Sequence, residues 1–440
     1  MKKNPAGLLR WLLVLLAVSL LPVCAVSGEG AAEAPGLTLD RVVILSRHNI
    51  RSPLSGSGSL LDTLTPHTWF SWTSAPSELS LRGGVMETVM GQYFRLRLEE
   101  EGLFPANWRP EEGEVRFYAN AMQRTIATAR YFSTGLLPLA QITVETHAEY
   151  NTMDPVFNPS LQFFTDAYAD AALAQIAEAG GIAGLRGISA GLADAYALLM
   201  DVTDMESSEA FLSGEYADFP DGETVITLTE GKEPSMTGPI KTGTSVADAL
   251  TLQYYEEPDA VKAAFGHTLT EDDWRLMHSI VDTYSEMLFT APLVAVNVAH
   301  PLLREIRGEM TAEGRKFTFL CGHDSNVASV LAALRAEDYT LPETVEPKTP
   351  IGVKLVFSRW LDAEGAAFWK ISLVYPSTEQ LRAMSPLSLE EPPVVYPVAL
   401  RDIAADENGL IAEDDLLSRF AEAIDAFDEL TVTYAEENAA

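Results

Sequence analysis

The sequence predicts an α/β fold, a mostly parallel sheet flanked by helices, with an inserted helical cap domain. Three observations lead there. Short continuous apolar runs, 41–46 and 316–321 foremost, have the β-branched, non-alternating character of strands covered on both faces. Segments with helical spacing of apolar residues alternate with such runs, the pattern of a parallel sheet. Between them lies 161–200, rich in Ala, Leu and Ile and poor in strand formers.

Taken in order, the first strand reads Arg-Val-Val-Ile-Leu-Ser and ends in a polar loop, 47–53, then a Gly/Ser-rich stretch to 59. A helix is expected at 81–100, strands at 115–118 and 142–146, and a helix from about 121 to 132 between those strands. Helices broken at Gly180-Gly181 fill 161–200, part of a cap running to about 265. A helix at 273–289 ends before Pro292. The strand at 316–321 leads into a helix at 325–335, and 353–357 and 369–374 close the sheet. The C-terminus reads as an acidic tail. The expected organisation is a core of 36–155 and 266–440 around a cap of 156–265. A chain of 440 residues is long enough for two such units.

The first 25 residues read as a signal peptide. Lys2, Lys3 and Arg10 precede an apolar run over 11–26, shorter than the ~20 residues a membrane span needs. Small residues near Ala25 and Ser27 offer a cleavage site, and a periplasmic or secreted location follows. Lipidation at Cys24 is the alternative. The net charge of −33 becomes −36 once the three positive charges of residues 1–25 are removed. So acidic a chain argues against nucleic acid or an anionic membrane as partner, and an anionic substrate needs a locally positive pocket. Cys321 would be the one cysteine left, without an intrachain partner. No Cys/His pattern has zinc spacing.

Two strand-to-loop junctions carry chemistry: Arg47-His48-Asn49-Ile50-Arg51-Ser52-Pro53, and Gly322-His323-Asp324-Ser325-Asn326. Ligands of open α/β sheets bind beyond the carboxyl ends of strands, so the two loops share a crevice if their strands are neighbours. Arg47 and Arg51, with Arg124 at the start of the next helix, suit a phosphate dianion. His48 would be the nucleophile, one ring nitrogen held by a backbone carbonyl and the other free. His323 would be a further phosphate ligand. Asp324 would protonate a poor leaving group and later take a proton from water. The scheme requires no metal or cofactor. Taken singly, an Arg-His pair or a His-Asp pair is commonly structural; it is their joint placement after buried strands that carries weight.

These motifs resemble the histidine acid phosphatase family, in its aspartate-donor branch, and within it the bacterial periplasmic glucose-1-phosphatases. The likeness extends over essentially the whole chain after residue 25. It includes Ser46-Arg47-His48-Asn49, Tyr118-Ala119-Asn120 with Gln123-Arg124-Thr125, Thr152-Met153-Asp154-Pro155 with Phe157-Asn158-Pro159, Leu252-Gln253-Tyr254-Tyr255, the Gly322–Asn326 motif and Thr349-Pro350-Ile351-Gly352. The resemblance implies a phosphoglycerate-mutase-like core, a phosphorylated His48, phosphate bound by Arg47, Arg51, Arg124 and His323, and Asp324 as acid. It also implies a cap glutamate narrowing substrate choice at the mouth. Glu233 matches that position, with an ordinary exposed loop acid as the alternative. The family's several cysteines are not matched, so its disulfides do not carry over.

The resulting expectation is a phosphomonoesterase for a small phosphorylated sugar, glucose 1-phosphate first. Phytase-like hydrolysis of inositol hexakisphosphate is the alternative, disfavoured by a cap stretch, 208–233, with many acids and only Lys232 as a base. A mutase-like transferase and a non-catalytic phosphate-ester binding protein are the remaining readings. Export away from glycolysis argues against the first, and the presence of both His48 and Asp324 against the second.

Overall fold

The computed structural model describes residues 36–55, 58–217 and 219–435, all of them within one compact unit. The expected signal peptide and Cys24 lie outside the described residues.

Strand β1 (Thr38–Arg47) runs through the centre of the sheet. Its residues Val42 to Leu45 are at most 1 % exposed. Alternate side chains of a strand point to opposite faces. Accordingly Val43 and Leu45 join one apolar cluster, and Val42 and Ile44 another. Helices Leu81–Glu100 and Gln123–Leu136 cover the second face. Helices Pro292–Thr311, Asp324–Ala333 and Glu413–Thr433 cover the first. Burial on both sides is why the sequence shows an unbroken apolar run here. Fully burying such a side chain contributes about 1.5–3 kcal/mol.

The remaining strands are β2 (Val115–Ala119), β3 (Val144–Glu145), β4 (Val225–Thr227), β5 (Ser235–Thr237), β6 (Phe317–Gly322), β7 (Lys354–Leu361), β8 (Ala367–Tyr375), β9 (Val394–Pro397) and β10 (Ile411–Ala412). The main sheet is ordered β10-β8-β7-β1-β6-β2-β3, with β9 also on β8. β1, β6, β2 and β3 are mutually parallel. The two closing strands, β7 and β8, are antiparallel, so the parallel character belongs to the half of the sheet that carries the motifs.

Two segments differ from expectation. The acidic tail is a 21-residue helix, Glu413–Thr433, which buries Leu416, Phe420 and Ala423 at spacings of four and three while all its acids but Glu413, which pairs with Arg359, are exposed to water. The 20-residue helix Pro292–Thr311 was hidden by its prolines. Pro292 occupies the first turn, where its missing N–H costs nothing, and Pro301 lies inside.

A third apolar cluster holds the cap: helices Asp166–Glu178, Ala193–Val202 and Pro239–Glu256, and the small hairpin of β4 and β5. Helix Glu271–Ser285, beyond the expected limit at 265, packs into the same cluster through Trp274, Met277 and Ile280. The chain does break at the expected glycines, where Gly181 adopts φ +60°, a conformation costly for other residues. Among the described residues no single helix is long and apolar enough to cross a membrane.

One polar cluster is sealed inside the core. Lys354 Nζ lies 2.8 Å from Glu87 Oε1, both side chains 0 % exposed. Glu87 Oε2 accepts from Asn49 Nδ2 at 2.8 Å, and Lys354 Nζ donates to the Gly352 carbonyl at 2.7 Å. Gly352 in turn donates its N–H to the His48 carbonyl. Gly352 has φ +70°, and a Cβ there would approach Asn49 Nδ2 to 2.7 Å, so the contact admits only glycine. Removing one partner of a buried ion pair costs about 3–5 kcal/mol because the other charge is stranded. Glu87→Gln is therefore expected to lower stability by about that amount in urea unfolding, and Glu87→Gln with Lys354→Met to recover most of it. Equal stability of wild type and the single variant would show that the pair carries no such penalty.

Candidate active site

The β1–β6 pairing aligns Ser46 with Cys321 and Arg47 with Gly322, so both motifs leave the sheet side by side. The His48 N–H donates to the Gly322 carbonyl. The His48 and His323 rings lie 5.5 Å apart between centroids, inclined at 71°. β2, on the other side of β6, leads into helix Gln123–Leu136, whose second residue is Arg124. The two loops thus share one crevice, with Arg124 at its third side.

His48 is 3 % exposed, and its Nδ1 lies 2.8 Å from the Asn49 carbonyl. A carbonyl only accepts, so Nδ1 carries the proton and Nε2 keeps its lone pair. Burial, followed by Arg124, Arg51, His323 and Arg47, holds the ring well below the usual histidine range, so it stays neutral into acid.

Asp324 is the first residue of helix Asp324–Ala333, where the helix N-terminus favours a carboxylate. Its Oδ1 accepts from the Ser325 N–H at 2.9 Å and its Oδ2 lies 3.6 Å from Arg47 Nη2. The side chain is 41 % exposed at the mouth of the crevice. Its crowded setting raises the carboxyl, but Arg47, His323, the Ser325 N–H and Arg51 outweigh this and hold it below the usual range. Asn326 pins the turn: its Oδ1 accepts the His323 N–H at 2.9 Å and its Nδ2 donates to the Phe157 carbonyl at 2.8 Å. A Cβ on Gly322 would come within 2.3 Å of that Oδ1. The glycine and the asparagine of Gly-His-Asp-Ser-Asn are thus set by the sterics and hydrogen bonds of this corner.

The three arginines differ in their neutralisation. Arg47 Nη1 donates to Glu346 Oε1 at 2.8 Å and to the Thr349 carbonyl. Burial opposes its charge, but Glu346 and Asp324 more than restore it. Arg51 Nη2 reaches both oxygens of Asp248, at 3.1 and 3.3 Å, from the cap helix Pro239–Glu256. Arg124 has no carboxylate partner among the described residues; its Nη2 comes 3.4 Å from His323 Nδ1. Burial and then Arg51 push Arg124 down to about 10. It remains charged at neutral pH and is the guanidinium freest to take a phosphate oxygen.

Glu233 lies just before β5 in contact with solvent, yet its carboxyl is pushed up to about 7 by the crowded mouth and by neighbouring Asp324, with Lys241 and Arg124 pulling the other way. All seven residues singled out in the sequence thus fall at or beside one crevice. Sequence reasoning missed Asp248 and Glu346, and included Asn120 in a motif without giving it a role. Asp248 had a weak signal, a lone charge in the apolar run Val246-Ala247-Asp248-Ala249-Leu250; Glu346, in an irregular loop, had none. Among the described residues no group of three or more His, Cys, Asp or Glu side chains is arranged to hold a metal. Cys321 is buried on β6, its thiol raised by burial.

Residues 38–172 match the model of the histidine phosphatase superfamily, branch 2. The chain is 36 % identical over 407 residues to a glucose-1-phosphatase of Salmonella typhimurium, covering 92 % of this chain and 96 % of the relative. The chain belongs to this superfamily. A glucose-1-phosphatase of Providencia rettgeri is 35 % identical over 395 residues, covering 88 % and 93 %. Among solved structures, the phytase of Citrobacter braakii superposes with a TM-score of 0.80 at 26 % identity, covering 89 % of this chain and 98 % of that one. The family brings phosphatase chemistry with it, and the crevice has the parts for it.

Glu346 is 1 % exposed and fully engaged: Oε1 by Arg47, Oε2 by the Tyr255 hydroxyl at 2.8 Å and the Ile351 N–H at 2.9 Å. Hydrogen bonds to charged groups contribute about 1.5–3 kcal/mol. Glu346→Gln is expected to lower kcat/KM by about 10- to 100-fold by releasing Arg47. Tyr255→Phe, which leaves the Arg47 contact in place, should cost less. Steady-state kinetics on both variants check this ranking, and equal losses would deny Glu346 its hold on Arg47.

Proposed function

We propose that this phosphomonoesterase hydrolyses small sugar phosphates, glucose 1-phosphate best, through a phosphohistidine at His48. One observation carries the reading: His48 has its Nδ1 proton engaged by a backbone carbonyl and its Nε2 lone pair unengaged, beside three arginines.

Arg47, Arg51, Arg124 and His323 hold the phosphate. Nε2 attacks phosphorus as the ester P–O bond breaks, and Asp324 delivers its proton to the leaving oxygen. The ring becomes positive, and the Asn49 carbonyl stabilises the Nδ1–H of that imidazolium. Water then attacks phosphorus, the P–N bond breaks, the water proton passes to Asp324, and inorganic phosphate leaves. The arginines neutralise charge on the equatorial oxygens throughout.

Glu233 and Asp248 support the preference for one phosphate. Both groups border the phosphate site from the cap side; a second phosphate group there would meet the Asp248 carboxylate and, above pH 7 where it is ionised, that of Glu233. The likeness to a phytase supports inositol hexakisphosphate as the second substrate reading. The reading also includes export, supported by Lys2, Lys3, Arg10 and the apolar run that follows.

The test is phosphate release, without added metal, from glucose 1-phosphate, glucose 6-phosphate, inositol hexakisphosphate and p-nitrophenyl phosphate. Glucose 1-phosphate should lead, and His48→Ala should abolish release from all four. Metal-free activity that survives His48→Ala overturns the mechanism. Asp324→Asn should cost about 10²–10⁴-fold on sugar phosphates and far less on p-nitrophenyl phosphate, whose leaving group needs little protonation.

The pH profile follows from the two shifts. His48, held low, stays a nucleophile in acid; Asp324, also held low, must be protonated to act, which acid favours. The rate on glucose 1-phosphate should therefore rise as pH falls from 8 to 5, and a rate falling over that range contradicts the assignment. Glu233→Gln should raise relative activity on inositol hexakisphosphate, more above pH 7, where Glu233 is ionised, than below. A ratio unchanged at every pH removes Glu233 from substrate selection.

A further inference from the structure

Asn120 follows β2 directly and is fully buried. Every polar group it carries is engaged. Its N–H donates to the Cys321 carbonyl at 2.9 Å, and its carbonyl accepts from Thr125 Oγ1 at 2.6 Å. Its side-chain Oδ1 accepts the Asp154 N–H at 2.8 Å. A backbone N–H can only donate, so this contact fixes which end of the amide is oxygen. The NH₂ end is left facing His323 Nε2 at 2.6 Å, with Met153 Sδ at 3.2 Å.

Asp154 is itself rigid. Its Oδ1 accepts from the Tyr118 hydroxyl at 2.7 Å and from the Val156 N–H at 3.0 Å, and its Oδ2 from the His147 N–H at 3.0 Å. The amide therefore cannot turn over without stranding a buried N–H, a loss of hydrogen bonding that buried groups rarely bear.

A nitrogen that accepts from an amide carries no proton. A neutral imidazole then has its single proton on the other nitrogen. His323 is 6 % exposed, and burial, Arg124, Arg51 and Arg47 disfavour a second proton, against Asp324 alone. Arg124 Nη2 approaches Nδ1 at 3.4 Å, too long to compete with the 2.6 Å contact for the ring's one lone pair.

We propose that Asn120 is a positioning residue that fixes His323 in its Nδ1–H form, so that this ring offers phosphate an N–H while His48 offers a lone pair. The two histidines meet edge to face at one crevice yet are chemically opposite, because His48 is set by a carbonyl and His323 by an amide NH₂. The inference rests on the phosphoryl-transfer reading above for the purpose of the N–H, but the tautomer itself does not depend on turnover.

The test uses the intact protein labelled with ¹⁵N-histidine, with His323→Gln to assign the resonances. Long-range ¹H–¹⁵N correlation should show His323 protonated at Nδ1 and bare at Nε2 at neutral pH; the reverse overturns the proposal. Asn120→Asp keeps the size and the acceptor for the Asp154 N–H but presents an oxygen to Nε2. In that variant the neutral ring should move its proton to Nε2, and the ring should become easier to protonate. Nδ1 is then a donor only while the ring is an imidazolium. Loss of kcat/KM, expected at about 10- to 100-fold, should be carried by KM and deepen as pH rises from 4 to 8. A loss uniform with pH, or confined to kcat, would mark a merely structural role. Should the variant not fold, the wild-type spectrum decides alone. The spectrum is read without substrate, so failure of the tautomer and failure of the hydrolase reading are separate results.

Discussion

The site depends first on a single backbone pairing, the parallel register of β1 against β6. With Arg47 opposite Gly322, the next residue on each strand is a histidine, and the His48 N–H binds the Gly322 carbonyl. A one-residue slip would turn every side chain of β1 to the other face and exchange the contents of two apolar clusters. Burial on both faces thus enforces the register, and the register sets the separation of the two rings. The hydrophobic effect, which has no direction of its own, here specifies a catalytic distance.

Around that pairing the charges are arranged in layers. Arg47 and Arg51 are partly neutralised by Glu346 and Asp248, whereas Arg124 is not. The acidic chain as a whole repels anions, and the pocket reverses the sign locally with three guanidinium groups under limited carboxylate cover. The deeper Lys354–Glu87 pair does no such recruiting. It lies beneath Asn49 and Gly352, where it supports the loop that holds His48 and faces no solvent.

Much of this was legible in the sequence because the signals are local. Continuous apolar runs marked β1 and β6 within a few residues, and apolar positions at helical spacing marked the helix Leu81–Glu100 in full. The residues of the two loops could be grouped because each directly follows a strand. What escaped was non-local or disguised. Asp248 and Glu346 act through partners 197 and 299 residues away, and no pattern of spacing records such a contact. The antiparallel return of β7 depends on topology rather than composition. Pro292 and Pro301 disguised a helix, and a run of acids disguised another whose apolar stripe was nevertheless present.

The cap helix Pro239–Glu256 carries both Asp248, on Arg51, and Tyr255, on the Glu346 that holds Arg47. The two lie seven residues apart, two turns along one face and about 10 Å in rise. This helix is therefore a strut between the two arginines proposed to bind phosphate rather than a roof above them. Swinging it outward as a rigid lid would break both attachments and splay the anion site in the same stroke. The cap and the crevice thus form one mechanical element, in which moving the helix and loosening the arginines are the same event.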